Sequence, residues 1–127
     1  MNARRPSETT ILVVDDDAMM RTLVGRTLRS EGFQVWTASG ATEARQVLNR
    51  MPDQLDLILT DVAMPDGMGP QLVAEVRQAH PRVRLLYMSS YSRKDLLGHG
   101  IDLGTEDLLA KPFMPAELIA RVQATLG

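Results

Sequence analysis

Five short apolar runs alternate with stretches of helical periodicity, and that alternation leaves the chain few folds to choose from. Ile11-Leu12-Val13-Val14 is the first run, closed by Asp15-Asp16-Asp17, and it reads as a buried strand. Asp17 is placed to cap the helix that follows, in which Met20, Leu23, Val24, Thr27 and Leu28 recur on one face. Gly32 then ends that helix in the left-handed position. Gln34 to Ala38 alternates as a second strand, and a helix from Ala41 to Arg50 is stopped by Pro52. Residues 55–60 form a third strand that runs into Asp61. Residues 64–70 are Met-Pro-Asp-Gly-Met-Gly-Pro, a concentration of turn formers that predicts a loop. Pro70 suits the first turn of a helix carrying Leu72, Val73 and Val76 inward, and Pro81 ends it. Residues 83–89 make a fourth strand. Arg93 to Gly98 makes a short helix, with Gly98, Gly100 and Gly104 predicting irregular backbone around it. Leu108-Leu109-Ala110 is a very short fifth strand, and Pro115 opens a last helix with Leu118, Ile119, Val122 and Leu126 on one face.

A β-α order repeated five times implies an α/β fold, (βα)5, because parallel strands need crossover connections and those connections cover both faces of the sheet. Ligands of such sheets sit at the carboxyl ends of the strands, near the point where the strand order reverses. The length of 127 residues suits one domain. Residues 1–9 read as a flexible, polar tail or linker and residues 10–127 as the folded unit, without repeats or low-complexity tracts. A net charge of −2 offers no overall positive field for nucleic acid or anionic lipid. No apolar run approaches the ~18 residues of a membrane span. The chain has no cysteine, which excludes disulfides and thiolate chemistry and suits the cytoplasm.

The polar residues gather where the topology places ligands. Asp15 and Asp16 follow strand one, Asp61 follows strand three, Ser89 ends strand four and Lys111 follows strand five. Three carboxylates converging on one edge repel one another unless a cation sits among them. A hard, oxygen-seeking ion such as Mg²⁺ (or Mn²⁺) is the natural one, bound by one or two carboxylates plus waters and phosphate oxygens. A lysine and a hydroxyl beside it would complete the contacts of a phosphoryl group, whose transfer depends on positioning and charge neutralisation.

Ile11-Leu12-Val13-Val14-Asp15-Asp16, Leu59-Thr60-Asp61 with Met64-Pro65 and Gly69, Met88-Ser89, and Lys111-Pro112-Phe113 occur in that order. With them the chain resembles the receiver domains of response regulators, flavodoxin-like switches of two-component signalling, from about Thr10 to Leu126. Met68-Gly69-Pro70-Gln71-Leu72, Tyr87-Met88-Ser89-Ser90-Tyr91 and Leu96-Leu97-Gly98-His99-Gly100 look most like the receivers of hybrid histidine kinases. The resemblance implies that Asp61 accepts a phosphoryl group from the phosphohistidine of a histidine kinase or a phosphotransfer protein. It makes Asp16 a direct Mg²⁺ ligand, Asp15 a ligand through water, and the backbone carbonyl of Ala63 a third protein ligand. Lys111 would pair with Asp61 and then with the phosphoryl oxygens, Ser89 would move to that group and report it, and the Lys111-Pro112 bond would be cis, as proline allows. Such a protein promotes its own phosphorylation and dephosphorylation but turns over no external metabolite, and self-association through the last helix and strand is open to it.

Leu108 departs from the family pattern, which carries Tyr or Phe three residues before the lysine. An aliphatic side chain has no ring to swing, so the expected readout passes instead through the glycine-rich residues 91–104. Ala63 and Tyr91 occupy the two positions that tune hydrolysis of the acyl phosphate. Neither offers a carboxylate or amide to orient water, which implies slow self-dephosphorylation.

Two other functions compete. One is a vestigial receiver acting as a constitutive interaction module, disfavoured because Asp15, Asp16, Asp61, Ser89 and Lys111 are all present. The other is an aspartate-nucleophile phosphatase, whose Asp-x-Asp spacing is met by Asp15 and Asp17, but Ala18-Met19 does not continue its motif and no cap domain follows. Phosphate-binding glycine loops of nucleotide enzymes are missing. Direct DNA binding would need a further helix-turn-helix. Met19, Met20, Met64, Met68, Met88 and Met114 read as packing residues rather than a soft-metal site. His80 and His99 read as helix-end or solvent-facing residues, and Arg4 and Arg5 as part of a solvated tail.

Overall fold

A computed structural model describes residues 5–51 and 54–127. Residues 1–4 of the expected tail, with Arg4, and the helix stop at Pro52 lie outside the described residues. Pro6–Glu8 forms one turn of 3-10 helix. Five strands then form the main sheet: β1 (Thr10–Val14), β2 (Gln34–Ala38), β3 (Leu57–Asp61), β6 (Arg84–Ser89) and β7 (Leu108–Ala110). A two-residue ladder, β4 (Ala63–Met64) with β5 (Gly67–Met68), follows β3. The helices are α1 (Ala18–Ser30), α2 (Ala41–Arg50), α3 (Gly69–Ala79), α4 (Arg93–Gly98) and α5 (Pro115–Leu126). The sheet order is β2-β1-β3-β6-β7, every pair parallel, which is the flavodoxin-like arrangement. Its order reverses between β1 and β3.

Alternation along the central strands divides the core in two. Ile11, Val13, Leu57, Leu59, Leu86 and Met88 face one side, where they meet Val24 and Leu28 of α1 and Leu118 and Val122 of α5. Leu12, Val14, Ile58, Leu85 and Tyr87 face the other, against Ala44 and Val47 of α2, Leu72, Val73 and Val76 of α3, and Leu96 of α4. Both faces of β1, β3 and β6 are covered, which explains why these strands read as continuous apolar runs.

Several expectations need correction. Leu23 does not join the inner face of α1: it is 41% exposed, and the buried positions are Val24, Gly25 and Leu28. The apolar stripe is narrow because α1 packs on the sheet beside α5 and Leu23 falls outside that seam. The third and fourth strands begin one or two residues later than expected, and the third includes Asp61. Residues 64–70 are not wholly a loop, since the β4-β5 ladder and the first turn of α3 lie within them. Strand β2 alternates poorly, with Val35, Trp36 and Thr37 all half-buried, as suits an edge strand. Met19 and Met114 are 84% and 67% exposed and do not pack in the core, unlike Met64 and Met88. Other readings hold. Asp17 caps α1, accepting from the Met19 and Met20 amides, and Gly32, Gly100 and Gly104 take positive φ.

Candidate functional site

Each strand delivers its polar residue at its carboxyl end. Asp15 follows β1 and is fully buried, its amide donating to the Ala38 carbonyl at 3.1 Å. One carboxylate oxygen, Oδ1, accepts from the Asp17 amide at 2.9 Å, which leaves Oδ2 turned to Lys111 at 3.1 Å. Arg21, one turn into α1, donates to the Asp15 carbonyl at 2.7 Å. Asp61 is the last residue of β3, 8% exposed at its side chain, and its Oδ1 lies 2.5 Å from Lys111 Nζ. Asp16 is exposed, and oxygens of Asp15, Asp16 and Asp61 all lie within 4.8 Å of one another. The structure therefore brings together four of the residues singled out in the sequence, from β1, β3 and the segment after β7.

Ser89 ends β6 and is buried. Its Oγ accepts from the Tyr91 amide at 2.9 Å, and its carbonyl accepts from the Lys111 amide at 2.8 Å. The backbone thus ties the hydroxyl-bearing strand end to the lysine. The Lys111-Pro112 bond is cis. Leu108 is half-buried on β7, in register beside Tyr87. Tyr91 is 60% exposed and meets His99 edge to face. His80 ends α3, and its Nδ1 accepts from the Leu55 amide.

Electrostatics single out one acid. Burial pushes the Asp61 carboxyl up to about 7, with Asp15 adding to the rise and Lys111 opposing it. Burial alone would lower Lys111, but the hydrogen bonds it donates to Asp61 and Asp15 outweigh it and hold the ammonium above its usual range. Three acids against one ammonium concentrate negative charge at the carboxyl ends of the strands. Every donor is a hard oxygen, which suits a small divalent cation of the Mg²⁺ class rather than a soft metal. The residues present fit such an ion. A groove of about 430 Å³ lined by Thr9, Phe33, Arg82 and Arg84 lies at the amino ends of the strands, away from this chemistry.

Two groups of contacts escaped sequence reasoning. Arg93 Nη1 and Nη2 donate to the carbonyls of Gly104 and Glu106, and the Glu106 carboxylate pairs with Arg77 of α3 at 2.9 Å. Asp66 accepts from the first two amides of α2. Neither leaves a sequence signal, because each joins segments distant along the chain.

The description "Response regulator receiver domain" fits residues 11–123. The chain is 38% identical over 116 residues to the transcriptional regulatory protein CpxR of Klebsiella pneumoniae, covering 91% of this chain and 48% of that one, so it spans about half the length of that relative. Among solved structures, the chemotaxis protein CheY4 of Vibrio cholerae superposes with a TM-score of 0.79 at 28% identity, over 92% of this chain and 98% of that one. The receiver domain of the hybrid histidine kinase CckA gives 0.78 at 27%, over 93% and 99%. No helix among the described residues is long and apolar enough to cross a membrane. Sheet order, the acids at the strand ends and these relatives agree: the chain belongs to the response regulator receiver family, the phosphoaccepting switches of two-component signalling.

Proposed function

We propose that Asp61 is the phosphoacceptor of this receiver and that residues 10–127 form the unit that carries the switch. The single observation behind it is that Asp61 lies closest to Lys111, at 2.5 Å against 3.1 Å for Asp15, whose other oxygen already accepts from the Asp17 amide. A carboxylate oxygen of Asp61 forms a bond to phosphorus as the P–N bond of a phosphohistidine breaks, and the electron pair leaves on the imidazole nitrogen. Asp15, Asp16, Asp61 and the Ala63 carbonyl would hold Mg²⁺ or Mn²⁺. Bound there, the ion supplies charge neutralisation for the incoming phosphoryl oxygens. Lys111 takes the charge on a further phosphoryl oxygen, and Ser89 donates its hydroxyl to the group. The phosphodonor is a histidine kinase or phosphotransfer protein of the cytoplasm. The protein promotes its own phosphorylation and dephosphorylation and nothing else.

Incubation with acetyl phosphate and Mg²⁺, read by intact mass, tests this. One added phosphoryl group is expected on the wild type, none on Asp61→Asn, and none with a chelator present. Wild type that neither gains mass nor binds beryllium fluoride would refute the assignment. Tyr91 offers no carboxylate or amide to orient water, so the adduct should persist, and should decay about tenfold faster in Tyr91→Glu, less than a fully positioned general base can supply.

A further inference from the structure

We propose that Asp66 is a positioning residue for the phosphoacceptor site, because it fastens the turn carrying Ala63 to the start of α2. The inference rests on the cation site read above. Helix α2 begins at Gly40, which supplies no side-chain cap, although helix starts usually carry their own. Asp66 supplies it from outside: Oδ1 accepts from the Ala41 amide and Oδ2 from the Thr42 amide, both at 2.9 Å. Gly40 leaves the room for this, since a Cβ there would stand 2.6 Å from Asp66 Oδ1. A second contact reinforces the first. Gly67 lies so close to α2 that a Cβ on it would stand 2.9 Å from the Cβ of Ala41.

The other end of the same turn is held to β3. The Gly69 amide donates to the Val62 carbonyl at 2.7 Å, and a Cβ on Gly69 would collide with the carbonyl oxygen of Asp61. The β4-β5 ladder is therefore pinned at both ends, to the phosphoacceptor strand by Gly69 and to α2 by Asp66. Ala63 lies between the pins. With the Asp66 pin gone, the carbonyl that completes the cation's protein contacts would be held only from the β3 side, by the Gly69–Val62 bond and a two-residue ladder.

A residue that merely caps α2 would look similar in a stability measurement, so the cap and the tether must be separated. Asp66→Ala removes both. Gly40→Ser added to Asp66→Ala restores a cap from the helix's own N-cap position, where the backbone is extended and the atoms nearest the new Cβ were all Asp66's. It does not restore the tether. Melting is followed without cation, and Mg²⁺ binding by titration calorimetry with the metal alone. Asp66→Ala should melt about 4 °C lower and bind Mg²⁺ about tenfold more weakly, as expected for loss of a group that orients a ligand. The double variant should recover most of the melting temperature but not the affinity, and Asp66→Asn should recover part of both. Affinity regained in the double variant, or undiminished in Asp66→Ala, would reduce Asp66 to a helix cap. A wild type that binds no Mg²⁺ would overturn the cation-site reading, and this proposal with it.

Discussion

An aspartate in an unfolded chain titrates near ~4, whereas burial and Asp15 push native Asp61 up to about 7. Between those values the native protein holds a proton that the unfolded chain has lost. The stability conferred by that proton is fully present below the unfolded pKa and is lost as pH rises through about 7. At pH 8, then, cation-free protein carries an ionised, buried Asp61 against Asp15. Asp61→Asn removes the conflict and keeps an acceptor for Lys111, so it should melt about 4 °C or more above wild type at pH 8 without divalent cation. The advantage should shrink towards pH 4, where wild type has taken up its proton. Melting curves across that range check this, and an advantage independent of pH would contradict it. Residues of this kind were legible in the sequence because chemistry restricts them. Acids at strand ends facing a lysine have few uses, and Asp15, Asp61 and Lys111 meet as their positions implied.

Elements were legible where periodicity marks them and illegible where a distant partner decides. The order of strands and helices follows from the apolar runs, and α4 stands at its expected bounds. The β4-β5 ladder and the cap on α2 did not show, because a turn-forming segment reads the same whether or not its aspartate reaches a helix 24 residues away. Leu23 misled for a related reason: its spacing fits a face, but only packing fixes how wide that face is. Helix α4 is held by the Ser92 cap, by Leu96 in the core and by Arg93. A six-residue helix is too short to persist alone, and Arg93 binds its first turn to the carbonyls of Gly104 and Glu106, with Arg77 holding Glu106 to α3. Ser89 is tied to Tyr91 just ahead of that helix. Arg93→Ala should speed amide exchange across α4 and residues 99–107 about tenfold, a local opening, while β1 and β3 exchange as before. Unaltered exchange in α4 would mean the Arg93 contacts carry none of its order.

Among the described residues, the main sheet carries an apolar cluster on each side. Leu59 belongs to the side of α1 and α5, and Trp36 packs on the side of α2. Because strands β1 and β3 contribute to both clusters, neither side can melt alone. Leu59→Ala should destabilise by about 2–5 kcal/mol. In urea, Trp36 fluorescence should register that loss at the same midpoint as far-ultraviolet dichroism, though the cavity lies across the sheet. Separate midpoints would show that the two sides unfold independently.

The Asp15–Lys111 contact joins residues 96 positions apart, and this has a consequence for the life of the protein in a cell. A chain still under synthesis can display its acids early, but the ammonium that neutralises them arrives only with the final strand. On the proposed role of Asp61, a copy whose sheet has not yet taken in β7 lacks the Lys111 contact and should not be charged. Incomplete folding then silences the switch rather than misdirecting it.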